Sequence, residues 1–306
     1  MYSNTYIFPE KSSMTKANKE AVYAVKEKTE LLPFIQQTLQ GISRNKAKSI
    51  LVHGSVRIGR QTITKHDFIL EPGMQVTISK SNPTQELRNR FVKIIYEDKW
   101  ILVIEKQPGI LSMGTSHHSF CVKTVLDDYL KKKREKFSSH VVHRLDRETS
   151  GLMIYAKSLE AEKILEENWH NIVSDRRYVA VVQGKMEAKQ GTLKSWLKDN
   201  KAYFTYSSQI ENDGKLAITH FKTLASNDDY SLVELKLETG RKNQIRVHMQ
   251  DLNHPVVGDI KYGSGSNPIG RLALHAYRLY FRHPMTNELM EFETPIPYKF
   301  KELVNG

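Results

Sequence analysis

A chain of 306 residues with 39% hydrophobic and 26% charged residues is long enough for two domains and carries ordinary globular material for a core. Its 46 Lys+Arg against 34 Asp+Glu leave a formal net charge of +12, which favours a polyanionic partner over an acidic protein or a neutral metabolite, with nucleic acid ahead of an anionic membrane surface. A single cysteine, Cys121, excludes an intramolecular disulfide and a cysteine-cluster metal site, and no apolar run has membrane-span or signal-peptide length, so the expected location is the cytoplasm.

In chain order, residues 1–30 are polar and lysine-rich and read as a partly disordered arm in which Val22, Tyr23 and Val25 mark one short strand. From Leu31, the residues Leu32, Ile35 and Leu39 recur at helical spacing, and Ser43 takes the N-cap position of a second helix carrying Ala47, Ile50 and Leu51. Gly54, Gly59 and Gly73 then punctuate β-rich runs at 56–58, 62–63 and 75–78, which defines a compact module over 31–80. Residues 81–90, with Ser81, Asn82, Pro83 and Thr84, read as a linker into a larger domain over 91–300. In that domain 91–98 and 101–111 read as strands. Val122, Val125, Leu126 and Tyr129 mark a helix with Cys121 filling space at its start, and the helix runs into Lys131, Lys132, Lys133 and Arg134, a cationic end that suits the dipole. Ser158 caps a helix with Ala161, Ile164, Leu165 and Trp169 on one face, followed by a strand over 178–183 and a β-rich stretch through Leu237. Ile245, His248, Met249 and Leu252 make a short helix stopped by Asn253 and Pro255. Strands in runs with few helices between them predict an α+β fold, a mixed and largely antiparallel sheet with peripheral helices.

The chemistry concentrates in HRLDRETSGL, residues 143–152, which sets Asp146 between Arg144 and Arg147 on a turn-rich segment between two apolar runs. Opposite charge favours the ionised carboxylate, which can act as a nucleophile or take a proton. Charge alone describes a surface ion pair equally well. The whole string, however, resembles the catalytic motif of the RluA-type pseudouridine synthases. RRYVAVVQG, which opens on Tyr178, resembles the family's second motif, in which a Tyr packs against the target base. In ETGRKNQIRVHMQDLNHPVVGD the resemblance carries Arg246 over as the cation paired with the catalytic Asp, and a guanidinium can grip a carboxylate with two parallel bonds. It also implies that Arg144 lines the cleft and helps hold the base out. Two positions depart from the family pattern: Asn243 stands where His is usual, and EKQPGIL, from Glu105, stands where NKPxGL is common.

Between Ser43 and His66 the chain carries Arg44, Lys46, Lys48, Arg57, Arg60 and Lys65 and no acidic residue before Asp67. The string SRNKAKSILVHGSVRIGRQTI followed by EPGMQVTI is similar to the RNA-binding module named after ribosomal protein S-four, which implies that Ser43 and this basic set grip RNA phosphates, contacts that position more than they specify. Together the resemblances cover about residues 31–300. They imply isomerisation of specific uridines in ribosomal or transfer RNA by base flipping, with no cofactor or metal because no atom is gained or lost, and by a monomer without an obligate protein partner. An ionised carboxylate has two electrophilic targets there, the sugar carbon and the uracil ring. Two other classes set the contrast: a non-catalytic RNA-binding protein resting on the basic module alone, and a metal-dependent nuclease using His143, Asp146, His248 and Asp259, whose spacing fits no metal-site pattern.

Overall fold

The chain divides into two units, Met1–Glu86 and Leu87–Gly306. The computed structural model describes residues 20–39, 42–52, 56–59, 61–63, 66–79, 87–114, 119–133, 135, 138–211, 214–263 and 265–305. No helix among them is long and apolar enough to cross a membrane.

In the smaller unit the elements run β1 (Glu20–Ala24), β2 (Thr29–Glu30), α1 (Leu31–Thr38), α2 (Arg44–Val52), β3 (Val56–Ile58), β4 (Gln61–Thr62), β5 (Ile69–Leu70) and β6 (Gln75–Ser79). Four strands form an antiparallel sheet in the order β1-β6-β3-β4, and β2 pairs with β5. The helical spacing seen in the sequence becomes one buried face: Leu31, Ile35, Ala47 and Leu51 pack with Val56 and Val76 in a single cluster, each large aliphatic side chain contributing about 1.5–3 kcal/mol by burial. The expected limits need correction at the N-terminal side. Residues 20–30 belong to the folded unit, because β1 pairs with β6 along its length and buried Val25 donates its N–H to the Met74 carbonyl at 2.9 Å. The sequence marks the short strand but not its partner, because pairing with β6 far along the chain leaves no local signal. The part of the arm over 1–19 and the linker over 81–86 lie outside the described residues.

The larger unit contains β7 (Val92–Glu97), β8 (Ile101–Lys106), α3 (Val122–Lys132), β9 (His140–Val141), β10 (Ser150–Ala156), α4 (Leu159–Glu167), α5 (Trp169–Ile172), β11 (Val173–Gln183), β12 (Gln190–Asp199), β13 (Thr205–Ser208), β14 (Lys215–Ser226), β15 (Tyr230–Leu237), α6 (Gln244–Asp251), β16 (Leu274–Arg282), β17 (Leu289–Glu293) and α7 (Tyr298–Asn305). Its sheet runs β13-β12-β14-β15-β11-β16-β10-β8-β7, with β9 beside β10 and β17 beside β16. The pairs are antiparallel except β10 with β16, so the mixed, largely antiparallel α+β architecture is present.

All of β10 is buried. Met153 and Tyr155 enter one apolar cluster with Val122, Leu126 and Leu130 of α3, while Leu152, Ile154 and Ala156 enter another with Ala161 and Leu165 of α4. A strand covered on both faces reads as a continuous apolar run, not as the alternation expected for a half-exposed one. Ser158 accepts the Ala161 N–H at 3.2 Å and caps α4. The expected single helix, however, breaks at Asn168, which leaves Trp169 in α5. Strand β11 begins five residues before Tyr178, at Val173, because the polar stretch through Asp175, Arg176 and Arg177 pairs in register with β16.

Two details of register position the site. Ala276 of β16 lies opposite Gly151 of β10 on one side and opposite Tyr178 of β11 on the other. Immediately before Tyr178 the β11–β16 register shifts, passing over Tyr277, a bulge of the kind that re-aims a side chain beside a site. Gly151 is required where it stands. Its φ is +125°, and an added Cβ would lie 2.2 Å from the Ala276 carbonyl oxygen.

Candidate active site

Asp146 sits on the segment between β9 and β10, and the fold fixes that segment from below. Fully buried Lys106, the last residue of β8, donates to the carbonyls of Ile110 at 2.8 Å, Arg147 at 2.9 Å and Gln107 at 3.1 Å. Burial pushes its ammonium down to about 7, against the pull of Glu148 and Asp146. Buried Ser112 donates to the Leu145 carbonyl at 2.7 Å and accepts the Leu145 N–H at 3.1 Å. The Gly109 N–H meets the Arg147 carbonyl at 2.9 Å, and the turn closes from the Thr149 N–H to the Asp146 carbonyl at 3.2 Å. The backbone on both sides of Asp146 is therefore tied to buried donors and acceptors, while its own side chain stays 29% exposed.

One cleft is lined by Arg144, Asp146, Tyr178 and Arg246, together with Arg241 and Asn243. The sequence motifs are thus brought together, and Arg246 meets Asp146 as expected, though not through two parallel bonds. Arg246 gives its two short parallel bonds to Asp259, Nε to Oδ2 at 2.6 Å and Nη2 to Oδ1 at 2.7 Å. Asp146 receives a single contact from Nη1 at 3.4 Å, at the long edge of hydrogen-bond geometry. Asp146 is also not buried, so its charge balance does not depend on a closed ion pair. Arg147 turns away from it, 67% exposed, with Nε 3.4 Å from both the Glu148 carboxylate and the Gly109 carbonyl.

Arg246 lies in the first turn of α6, and its surroundings explain its aim. Asp259, with no side-chain exposure, takes the fork of the guanidinium, and Asn243 Oδ1 accepts from Nη1 at 3.0 Å. Burial works against the charge, but the bonds to Asp259 and the field of Asp259 and Asp146 outweigh it and raise the guanidinium further. Asn243 stands in the left-handed region at φ +54°, which Asn tolerates better than most residues, and its Nδ2 donates to the Tyr262 hydroxyl at 3.1 Å. The residue that departs from the family pattern is thus part of the network that orients Arg246. Helix α6 is anchored to the sheet by buried Gln244, whose Nε2 donates to Thr219 Oγ1 at 2.9 Å, and by His248, bonded to Thr219 at 2.8 Å and Ser195 at 2.9 Å.

Tyr178 is 6% exposed. Burial raises its phenol above the usual value of 10, opposed by Arg176 and aided by the charge of Asp146. The residues of the nuclease alternative point elsewhere. His143 Nε2 accepts the Ile154 N–H at 2.9 Å, its ring lies 4.8 Å from that of Trp169, and burial pushes it down to about 3. His248 is likewise pushed down to about 4 inside its bonds to Ser195 and Thr219, and Asp259 is occupied by Arg246. No group of three or more His, Cys, Asp or Glu among the described residues is arranged to hold a metal ion.

Of the expected phosphate-gripping set, Ser43, Arg44, Lys48 and Arg57 are exposed in the smaller unit, the first three on or beside α2, whose Ala47 and Leu51 are buried. Arg60 and the side chain of Lys46 lie outside the described residues. The residues that sequence reasoning missed are those acting through others: Asp259, Lys106 and Ser112. Only Asp259 carried a local signal, as the carboxylate of VVGD thirteen residues beyond Arg246.

A carboxylate held open to the cleft, a rigid guanidinium beside it and an aromatic floor match a base-modifying site, and the comparisons with known proteins agree. A family model described as RNA pseudouridylate synthase matches residues 100–251, and the chain belongs to the RluA-type family of RNA pseudouridine synthases. The RNA pseudouridine synthase YjbO of Bacillus subtilis is 41% identical over 214 residues, 70% of this chain and 75% of that protein. The ribosomal large subunit pseudouridine synthase D of Vibrio vulnificus is 32% identical over 287 residues, 88% of each chain. Among solved structures, human RNA pseudouridylate synthase domain containing 1 aligns with a TM-score of 0.55 at 26% identity, over 68% of this chain and 84% of that one.

Proposed function

We propose that this synthase isomerises specific uridines of structured RNA, ribosomal RNA foremost, with Asp146 as the nucleophile. The convergence of Asp146, Tyr178 and Arg246 on one cleft carries the reading. The uridine is flipped out of its strand. Its N–glycosidic bond breaks, the base turns, and a ring carbon takes the place of the nitrogen on the sugar, so that the C–H proton lost from the ring balances the N–H gained. Arg246, held by Asp259, fixes the position of the carboxylate. Tyr178 offers an aromatic face for the base, and its raised phenol keeps a proton available for relay at neutral pH. Arg144 lines the cleft mouth and holds the base out. The smaller unit, of S-four type, binds phosphates through Arg44, Lys48 and Arg57, and the protein works as a monomer.

The test is direct. Purified protein is incubated with unmodified transcripts of large-subunit ribosomal RNA and, separately, of transfer RNA, and pseudouridines are mapped; the same map is made in cells with and without the gene. Conversion at discrete ribosomal positions is expected. Absence of pseudouridine from every RNA, or conversion of transfer RNA alone, would overturn the reaction or the substrate respectively.

A further inference from the structure

The turn joining β12 to β13 presents an aromatic ring for which the reaction above has no use. Tyr203 is 75% exposed and holds φ at +58°, a left-handed conformation that a bulky residue keeps only where its surroundings enforce it. Here they do. The Asn200 carbonyl accepts the Tyr203 N–H at 2.9 Å, and Asn200 Oδ1 accepts the N–H groups of Ala202 and Phe204 at 2.9 and 3.0 Å. Lys261 Nζ donates to the Tyr203 carbonyl at 2.8 Å. Phe204 turns inward against Tyr262, ring centroids 4.7 Å apart, so the neighbouring ring is held outward on an ordered turn.

Cations accompany that ring. The Lys242 ammonium lies 5.8 Å from its centroid. Lys242 also lines, with Lys198, Lys215 and Arg241, an open groove of about 410 Å³, whose acidic member, Asp199, is paired with Lys242 at 2.8 Å. Arg241 borders both this groove and the cleft of Asp146. Thr205 of the groove accepts from Asn243 Nδ2 at 3.3 Å, and Asn243 bonds Arg246. Groove and cleft therefore meet at Arg241, and Tyr203 stands beside the groove's Lys242.

We propose that Tyr203 is a stacking platform for an unpaired nucleotide next to the target uridine, and that the phosphates of that strand follow Lys198, Lys215, Arg241 and Lys242 into the cleft. The proposal rests on the reading of the cleft as a uridine-isomerising site. Extruding one base removes a stacking partner from its neighbour, and an aromatic side chain replaces that partner for any base, while the cations displace counterions from the backbone. A turn whose backbone is ordered beforehand loses little entropy on binding.

Binding of dye-labelled decauridine RNA to the full chain, followed by fluorescence anisotropy over a salt series, tests it. Tyr203→Asn removes the ring while suiting positive φ, Tyr203→Gly does so through a second compatible residue, and Tyr203→Phe keeps the ring. The ring-deleting variants should weaken decauridine binding roughly 5- to 100-fold and Tyr203→Phe by no more than about twofold, while Lys242→Gln should lower the salt slope by about 1. Parent-like affinity in both ring-deleting variants, or an equal loss in Tyr203→Phe, would overturn the platform. Because decauridine binding requires no turnover, failure of the isomerase reading would show separately, as absence of pseudouridine from RNA treated with the parent protein.

Discussion

At the level of single residues, the site separates the carboxylate proposed as nucleophile from a structural one. Asp146 keeps one loose contact to Arg246, whereas Asp259 takes the two short bonds and is wholly buried. Asp146→Asn conserves size but removes the negative charge. Its single-turnover rate should fall on the order of 10⁴-fold or more, with RNA affinity kept within a few fold. Asp259→Asn should behave differently. Removing one partner of a buried ion pair costs about 3–5 kcal/mol of stability, visible in the denaturation midpoint. The freed guanidinium should also lower turnover, although Asp259 bonds Arg246 and not Asp146. A variant that loses stability but turns over normally would show that Arg246 does not need this anchor. That Asp146, Tyr178 and Arg246 belong together was legible in the sequence because a motif of unusual composition surrounds each, and the fold brings the three to one cleft. Lys106 and Ser112 were not, since their roles come from bonds across folded distances and leave no local pattern; Ser112 meets Leu145 thirty-three residues away.

Among the elements, legibility followed burial. Helices α1, α3 and α4 announced themselves by apolar spacing, because each covers a cluster with one face. The beginning of β11 did not, since its polar residues are held by backbone pairing, and β1 showed as a short strand through Val22 and Tyr23 but not as part of the folded unit. The order of strands was equally hidden, and it is this order that sets β10, β16 and β11 side by side beneath the cleft. Gly151 shows how tight that junction is. Gly151→Ala would force a methyl group against the Ala276 carbonyl in a backbone conformation that side chains avoid. A loss of more than about 3 kcal/mol is expected by calorimetry or urea unfolding, together with loss of turnover, because the Asp146 segment leads directly into this strand.

The whole molecule carries its +12 charge on two units with different tasks. Deleting residues 1–86 should leave the larger unit folded while flattening the salt dependence of RNA binding, by about 1 in slope for each phosphate that the smaller unit had neutralised. An unchanged slope would show that Arg44, Lys48 and Arg57 do not touch RNA. Stability should also depend on pH in a definite direction. Burial pushes His143 down to about 3, and His248 and His275 to about 4, from an ordinary 6.5. The unfolded chain therefore takes up protons first as pH falls. The contribution of these neutral imidazoles is complete above about 6.5 and drains away toward pH 4, at a scale on the order of 3 kcal/mol for each ring. Urea midpoints measured from pH 7.5 to 4.5 should decline with a slope approaching three protons, and a flat profile would mean that the rings are charged in the fold.

Strand β16 has a bearing on biosynthesis as well. Among the described strands it alone links β7-β8-β10 to β11-β15-β14-β12-β13 in the sheet order, and it joins Ser150 to His275, 125 positions later. A growing chain that has already released Asp146 can pair β10 with β8 on one edge and with β9 at Tyr155 and Ala156 on the other, but Ser150 and Gly151 have no partner on that second edge until residues 274–282 leave the ribosome. Such long-range closure is the slow kind. One late strand thus joins two parts of a sheet that both precede it in the chain.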